Sequence, residues 1–185
     1  MRHAAAITAA LLLAGLATGC SSNDDDKPTV SKASTAESAS PSPSPSPSKE
    51  TLKLGDTANI SIHTKFTAAA LTYQDKGIRG VPEMLGADQK WAALMVKVCN
   101  KGAEPIQTTA YVWSLAYEDG ARVESAGMNA GELPQPLYPM DAKVSSGDCV
   151  RGNIAFQVPE EGRPERVLYS PDGLDEPVEW LVSKD

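Results

Sequence analysis

The stretch Cys149-Val150-Arg151-Gly152-Asn153-Ile154-Ala155-Phe156-Gln157-Val158-Pro159 decides the predicted fold. Its side chains alternate in character along the chain. One parity carries Val150, Ile154, Phe156 and Val158, and the other carries Arg151, Asn153 and Gln157. Because successive side chains of a strand point to opposite faces, this period of two predicts a β-strand with one buried face.

Segments of similar character fill the rest of residues 51–185, which we expect to form one domain. Residues 91–98 also alternate, and residues 118–121 have the composition of a hairpin turn. Further strands are predicted at residues 59–63, 68–73, 108–117, 122–125, 142–144, 166–169 and 178–182. Eight or nine short strands, with no convincing helical period, predict an all-β fold, an immunoglobulin-like β-sandwich. A β-barrel is the main alternative.

The first 19 residues have the pattern of a secretory signal peptide. Arg2 precedes an apolar run over residues 4–16, which is too short to span a membrane. The run ends in Leu-Ala-Thr-Gly before Cys20 and resembles the lipobox of bacterial lipoproteins, in which the cysteine is diacylated and begins the mature chain. Ala17 stands where leucine is commonest. We expect a covalent acyl lipid on Cys20 and anchoring at the outer face of the cytoplasmic membrane. An ordinary signal peptide with a chance cysteine is the alternative.

Residues 20–50 are predicted to be a disordered Ser/Pro-rich linker that follows the lipidated Cys20. The segment after Cys20 has no aromatic residue, and Val30 is its one branched aliphatic residue, so it cannot bury enough apolar surface to fold. Serine and proline alternate over residues 40–48, which favours an extended spacer of about 3.1 Å per residue. O-glycosylation and docking into an aromatic groove are the alternatives to a simple spacer.

The charge balance and the residue inventory restrict the function. The 185 residues carry a formal net charge of -7, which becomes -8 when the signal peptide removes Arg2, and this argues against a nucleic-acid partner. His63 is the one histidine of the mature chain, and its predicted place in a strand favours a structural role over catalysis. The ligand spacing of a zinc site and the Gly-rich phosphate loop are both missing from the sequence. We therefore expect no enzymatic activity, no bound metal and no cofactor besides the lipid.

Cys99 and Cys149 remain after Cys20 is assigned to the lipid. Disulfides persist outside the cytoplasm, and the two cysteines lie at the end of one predicted strand and the start of another. If those strands are antiparallel neighbours, a Cys99–Cys149 disulfide forms easily. The parity of each cysteine places the bridge near the surface, away from a core tryptophan. A reactive redox pair is the alternative, although the Cys-x-x-Cys spacing is missing.

The loop at residues 127–140 is the candidate binding site. It is long and Pro-rich, and its apolar side chains are Met128, Leu133, Leu137, Tyr138 and Met140. Such side chains on a loop of a rigid sandwich can form a contact surface. The alternative is that the loop caps the core. Tyr111 and Trp113 are expected to pack in the core.

Three stretches resemble a known family. They are the sequence at residues 94–102 with its Asn-Lys-Gly turn, Trp113-Ser114-Leu115 followed by Asp119-Gly120, and the Gly-x-Ile-x-Phe-x-Val-Pro pattern of residues 152–159. Residues 54–182 are similar to the immunoglobulin-like (immunoprotective) extracellular domain of unknown function found in lipoproteins of high-GC Gram-positive bacteria. The resemblance implies a two-sheet sandwich and supplies no catalytic residues.

These observations together predict a non-enzymatic, membrane-anchored extracellular lipoprotein. We expect it to bind an envelope protein or a cell-wall component. An enzyme or inhibitor with an unrecognised loop site, and a carrier of a small ligand or metal, are the alternatives.

Overall fold

The computed structural model of the chain describes residues 29–32, 51–128 and 133–184. Within these residues there are twelve strands and two short 3-10 helices, Pro82–Met84 and Ala110–Val112. The strands are β1 (Thr29–Lys32), β2 (Leu52–Lys53), β3 (Thr57–Ser61), β4 (Lys65–Gln74), β5 (Gln89–Asn100), β6 (Ile106–Thr109), β7 (Trp113–Ala116), β8 (Arg122–Glu124), β9 (Asp141–Val144), β10 (Cys149–Pro159), β11 (Arg166–Tyr169) and β12 (Val178–Leu181). The prediction of an all-β fold is confirmed.

The strands form two five-stranded sheets and one small two-stranded sheet. Sheet A has the order β1-β3-β4-β5-β10, sheet B has the order β2-β12-β11-β7-β8, and β6 pairs with β9. The inner faces of sheets A and B enclose the main core. Trp113 lies at its centre, with its ring centroid 4.3 Å from that of Tyr169 and 5.7 Å from that of Trp180. The sandwich prediction is confirmed, and so is the core position of Trp113.

The predicted strand at residues 108–117 is two strands in the structure. β6 and β7 belong to different sheets, and the 3-10 helix Ala110–Val112 turns the chain from one to the other. The Thr109 hydroxyl accepts a hydrogen bond from the Tyr111 backbone N–H at 3.3 Å and so caps this turn. Tyr111 therefore leaves the strand and is 61% exposed, and the expectation that it packs in the core is wrong.

The linker prediction is wrong at Thr29–Lys32, which forms β1. This strand pairs antiparallel with β3, with Val30 opposite Ile60. Low apolar content does not prevent such pairing, because an edge strand offers unpaired backbone groups that a short extended segment can satisfy. The Lys32 ammonium lies 3.0 Å from the Asp56 carboxylate and fixes the end of the strand. The signal peptide, Cys20 and residues 33–50 lie outside the described residues, so the predictions for them stay predictions.

Candidate functional site

The two remaining cysteines meet across neighbouring antiparallel strands. β5 and β10 pair so that Cys149 lies opposite Cys99, with Cα atoms 4.0 Å apart and Sγ atoms 2.07 Å apart, a disulfide bonding distance. Both side chains share the parity of Lys97, which points away from the core. The disulfide therefore lies on the outer face of sheet A, away from the core tryptophans. This is the position that the alternation of side chains along the two strands predicts.

The described part of the candidate loop, residues 133–140, runs beside β10. The Tyr138 backbone N–H donates to the Asn153 carbonyl at 2.9 Å, and the Asn153 backbone N–H donates to the Pro136 carbonyl at 2.8 Å. The Asn153 side-chain amide also donates to the Pro134 carbonyl at 2.7 Å. Gly152 makes this close approach possible, because a Cβ atom there would lie 2.2 Å from the Tyr138 backbone nitrogen.

The apolar side chains of this loop pack on the domain. Leu133 is buried against Trp91 and Ala155 on the outer face of sheet A. Tyr138 is buried in the main core, where its hydroxyl lies 2.6 Å from that of Thr108, and burial raises its pKa to about 12.

Leu133 and Tyr138 are therefore not available as contact residues of a binding loop, and for these two the alternative, that the loop caps the core, agrees with their burial. Met128, Leu137 and Met140 are half-buried beside them. Residues 129–132, between Met128 and Leu133, lie outside the described residues. Composition marked these side chains as apolar, but the direction in which they point depends on their pairing with β10. In the described part, the segment covers the core.

A groove between the edges of the two sheets is the alternative site. It has a volume of about 330 Å³ and lies between β1 on one side and β2 and β12 on the other, with Val30, Leu52, Val178 and Leu181 among its lining residues. Val30 is 42% exposed and Leu181 is 37% exposed. Of the large apolar side chains that the structure describes, only Met84 and Tyr111 are comparably exposed, and neither lines the groove.

Ion pairs lie around the groove. Lys32 pairs with Asp56, and the Glu179 carboxylate lies 3.0 Å from the Arg166 guanidinium. A hydrogen bond from the Lys53 backbone N–H, together with Lys32, holds the pKa of Asp56 below its usual value. The sequence could not reveal this site, because one of its walls is the strand that the composition assigned to the linker.

A second cavity lies near His63. It has a volume of about 250 Å³, and Phe66, Ile106, Tyr169 and Asp172 also line it. β3 ends at Ser61, so His63 lies in the turn before β4 and not in a strand as predicted. Across residues 29–32, 51–128 and 133–184, no three His, Cys, Asp or Glu side chains are grouped closely enough to hold a metal ion.

A buried ionic cluster closes the other end of the sandwich. The buried Asp75 carboxylate lies 3.2 Å from the Arg163 guanidinium and 3.7 Å from the Lys90 ammonium. The Arg163 guanidinium also lies over the Tyr73 ring, 5.1 Å from its centroid. Burial raises the pKa values of Tyr73 and Tyr117. Two cations hold this carboxylate in place, which fits a structural role.

The fold and the comparisons with known proteins agree. Two packed sheets around one core define an immunoglobulin-like β-sandwich. The chain belongs to the family of the domain of unknown function DUF4352, whose model matches residues 48–177.

Two solved structures are similar to this chain. The secreted protein MPT63 from Mycobacterium tuberculosis has a TM-score of 0.60 and 14% identity, over 74% of this chain and 100% of that chain. The yjhA protein from Bacillus subtilis has a TM-score of 0.51 and 14% identity, over 72% of this chain and 99% of that chain. Identities this low show the fold alone. No curated protein matches the chain.

The described ranges also bear on membrane crossing. None of their helices has the length and apolar character that a membrane span requires.

Proposed function

We propose that this protein is a lipoprotein that displays a non-enzymatic binding module on the outer face of the cytoplasmic membrane. The lipobox-like sequence before Cys20 supports a covalent lipid anchor, and the chain between Cys20 and Thr29 would join that anchor to β1. The similarity in fold to MPT63, which is a secreted protein, supports an extracellular location. Two acyl chains on one cysteine give stable anchoring, whereas one chain gives only marginal binding.

The binding site of this module is the groove between β1 and β12. The observation that carries this assignment is the exposure of Val30 and Leu181 on its two sides. Most other large apolar side chains of the described residues are covered, so two exposed ones at a single groove mark a contact site. An extended segment of an envelope protein fits best. Among the described residues β1 pairs with β3 alone, so such a segment can add to the other edge of β1 and place an apolar side chain in the groove. A polar wall glycan would not need Val30 or Leu181.

Site-specific photocrosslinking on intact cells tests this assignment. A photoreactive amino acid replaces Leu181 in one strain and the more exposed Tyr111 in a matched control strain. We expect a discrete crosslinked protein from position 181 that is missing from position 111 and is lost when Val30→Glu is added. Identical products from both positions, or a product that persists with Val30→Glu, would show that the groove is not the binding site.

A further inference from the structure

One half of the outer face of sheet A carries a cluster of exposed cations, which we call the basic face. Its members are Lys65 on β4, Lys97 on β5, Lys101 just after β5, and Arg151 on β10. Arg151 lies directly opposite Lys97 in the strand register, and like charges at facing positions destabilise a sheet. Within the part of the chain that the structure describes, none of these four side chains forms an ion pair. A repulsive pair without acidic partners, on a chain with a formal net charge of -7, points to an anionic ligand.

The basic face is open because the loops cover only the other half of sheet A. There, Trp91 and Ala155 lie beneath Leu133, with Val81 packed against them. Among the described residues, no loop covers the half that carries Lys97 and Arg151, and both side chains are exposed. One half of the outer face of sheet A is therefore covered by loop residues. The other half carries exposed charges that can contact a flat surface.

The path of the chain brings this face close to the predicted lipid. Thr29 pairs with Ser61, and Ser61 pairs with Lys65, so the chain from Cys20 reaches sheet A two strands from a member of the basic face. Thr29 follows Cys20 by nine residues. Nine residues can extend by at most about 30 Å. Strands lie about 4.8 Å apart, so β10, four strands from β1, lies about 19 Å away across the sheet. The whole basic face is thus within the reach of the anchor.

We propose that the basic face docks on the anionic lipid headgroups of the membrane that holds the anchor. This inference rests on the proposed function, because it takes Cys20 as the lipidated residue. Each Lys or Arg close to an anionic surface strengthens binding about fivefold (about 1 kcal/mol). The exposed acids Glu104 and Asp148, in turns at the same end of the sandwich, offset part of this gain.

A few cations bind a free protein only weakly to a membrane. For a domain that is already anchored to the membrane, the same few cations are enough for docking. A short tether gives the domain an effective concentration in the millimolar range at the surface. In the docked orientation the outer face of sheet A lies on the membrane. The groove opens between the sheet edges and therefore stays accessible to a partner protein.

Lysine labelling on vesicles tests the docking. The mature chain, residues 20–185, is coupled through the Cys20 thiol to a maleimide lipid in vesicles of phosphatidylglycerol or of phosphatidylcholine. A short pulse of an amine-reactive reagent is followed by mass spectrometry, with Lys184 at the opposite end of the sandwich as the internal reference. We expect Lys65 and Lys101 to be labelled at least fivefold more slowly on phosphatidylglycerol than on phosphatidylcholine, relative to Lys184. Equal relative labelling on the two vesicles would overturn the proposal.

Two charge-reversal variants complete the test. K97E/R151E replaces a facing pair of cations by a facing pair of anions, so the repulsion within the sheet is unchanged and we expect the fold to be preserved. In this variant Lys65 should no longer be protected from labelling on phosphatidylglycerol. The matched control K76E/R122E changes the net charge equally at exposed sites outside the basic face and should keep the protection. Loss of protection in both variants, or in neither, would contradict docking through this face.

A soluble anionic polymer distinguishes the lipid from a wall component. Poly(glycerol phosphate) is added to the chain on phosphatidylcholine vesicles. Protection of Lys65 by the polymer, without protection on phosphatidylglycerol vesicles, would replace the lipid assignment by a wall polymer. Because chemical coupling takes the place of cellular lipidation, failure of this test leaves the proposed lipidation of Cys20 standing. That claim fails separately if the cellular protein carries no lipid.

Discussion

Replacing Gly152 by alanine should destabilise the domain through the segment that crosses β10. A Cβ atom at residue 152 would lie 2.2 Å from the Tyr138 backbone nitrogen and 2.3 Å from the Leu137 carbonyl carbon. Backbone atoms cannot rotate away as a side chain can, so the segment must move off the strand. Its displacement would break the two backbone hydrogen bonds with Asn153 and the bond from the Asn153 side chain to Pro134.

The magnitude follows from these contacts. Three hydrogen bonds contribute about 1 kcal/mol each, and partial exposure of Tyr138 and Leu133 adds about 1–2 kcal/mol. The alanine reduces the entropy of the unfolded chain, which offsets about 0.4–1 kcal/mol. We expect Gly152→Ala to lower the free energy of unfolding by about 3–5 kcal/mol, a large part of the roughly 5–15 kcal/mol of a typical domain.

Urea unfolding followed by tryptophan fluorescence measures this loss in the mature chain. Gly86→Ala is the matched control, because Gly86 also lies outside the left-handed region and its Cβ would approach only the flexible Gln89 side chain, at 2.9 Å. The control should lose less than about 1 kcal/mol, as is usual for surface positions. If Gly152→Ala were no less stable than Gly86→Ala, the close packing of residues 136–138 on β10 would be refuted.

Three further predictions concern the cysteines, a buried tyrosine and the edge strand. The denatured, unreduced domain should show no free thiol at Cys99 or Cys149, and replacing both by serine should cost about 4 kcal/mol in urea unfolding; two free thiols would contradict the bridge. The folded-state pKa of Tyr138 is raised from 10.0 to about 12, so its stabilising effect is complete below pH 10 and is lost as the pH rises through 12. Tyr138→Phe should remove about 2 kcal/mol of the stability that is lost between pH 10 and pH 12, measured as the unfolding free energy at these two pH values; an unchanged loss would contradict the burial. Ser31→Pro should detach β1 and speed amide hydrogen exchange at Asn59, which pairs with Ser31, because proline cannot donate to the ladder; unchanged exchange would show that β1 does not protect this edge.

The sequence could predict the strands of the two sheets wherever one face of the strand is buried and the other face is exposed. The alternation in β5 and β10 predicted which side chains enter the core and which face of sheet A carries Cys99 and Cys149. The turn at residues 118–121 was equally clear, and Gly120 adopts a positive φ of 89° there. Local pattern is enough for these features, because burial on one face imposes a period of two.

The features that the sequence missed depend on pairing between distant segments. β1 has no pattern of its own and forms because β3 offers a free edge. The stretch at residues 108–117 is rich in threonine and aromatic residues, which predicts a single strand. In the structure the 3-10 helix Ala110–Val112 separates it into β6 and β7. The inward direction of Tyr138 depends on Gly152, which is distant in sequence. The groove and the basic face each combine strands from several parts of the chain, so no single stretch could indicate them.

The proposed anchor is a lipid on Cys20, which would hold this immunoglobulin-like module outside the cell. Mass spectrometry of the N-terminal peptide from isolated membranes tests it most directly. We expect a chain that begins at Cys20, with a diacylglyceryl group on its sulfur, recovered in the membrane fraction. A soluble chain that begins at another residue, with an unmodified thiol or no Cys20 at all, would contradict it.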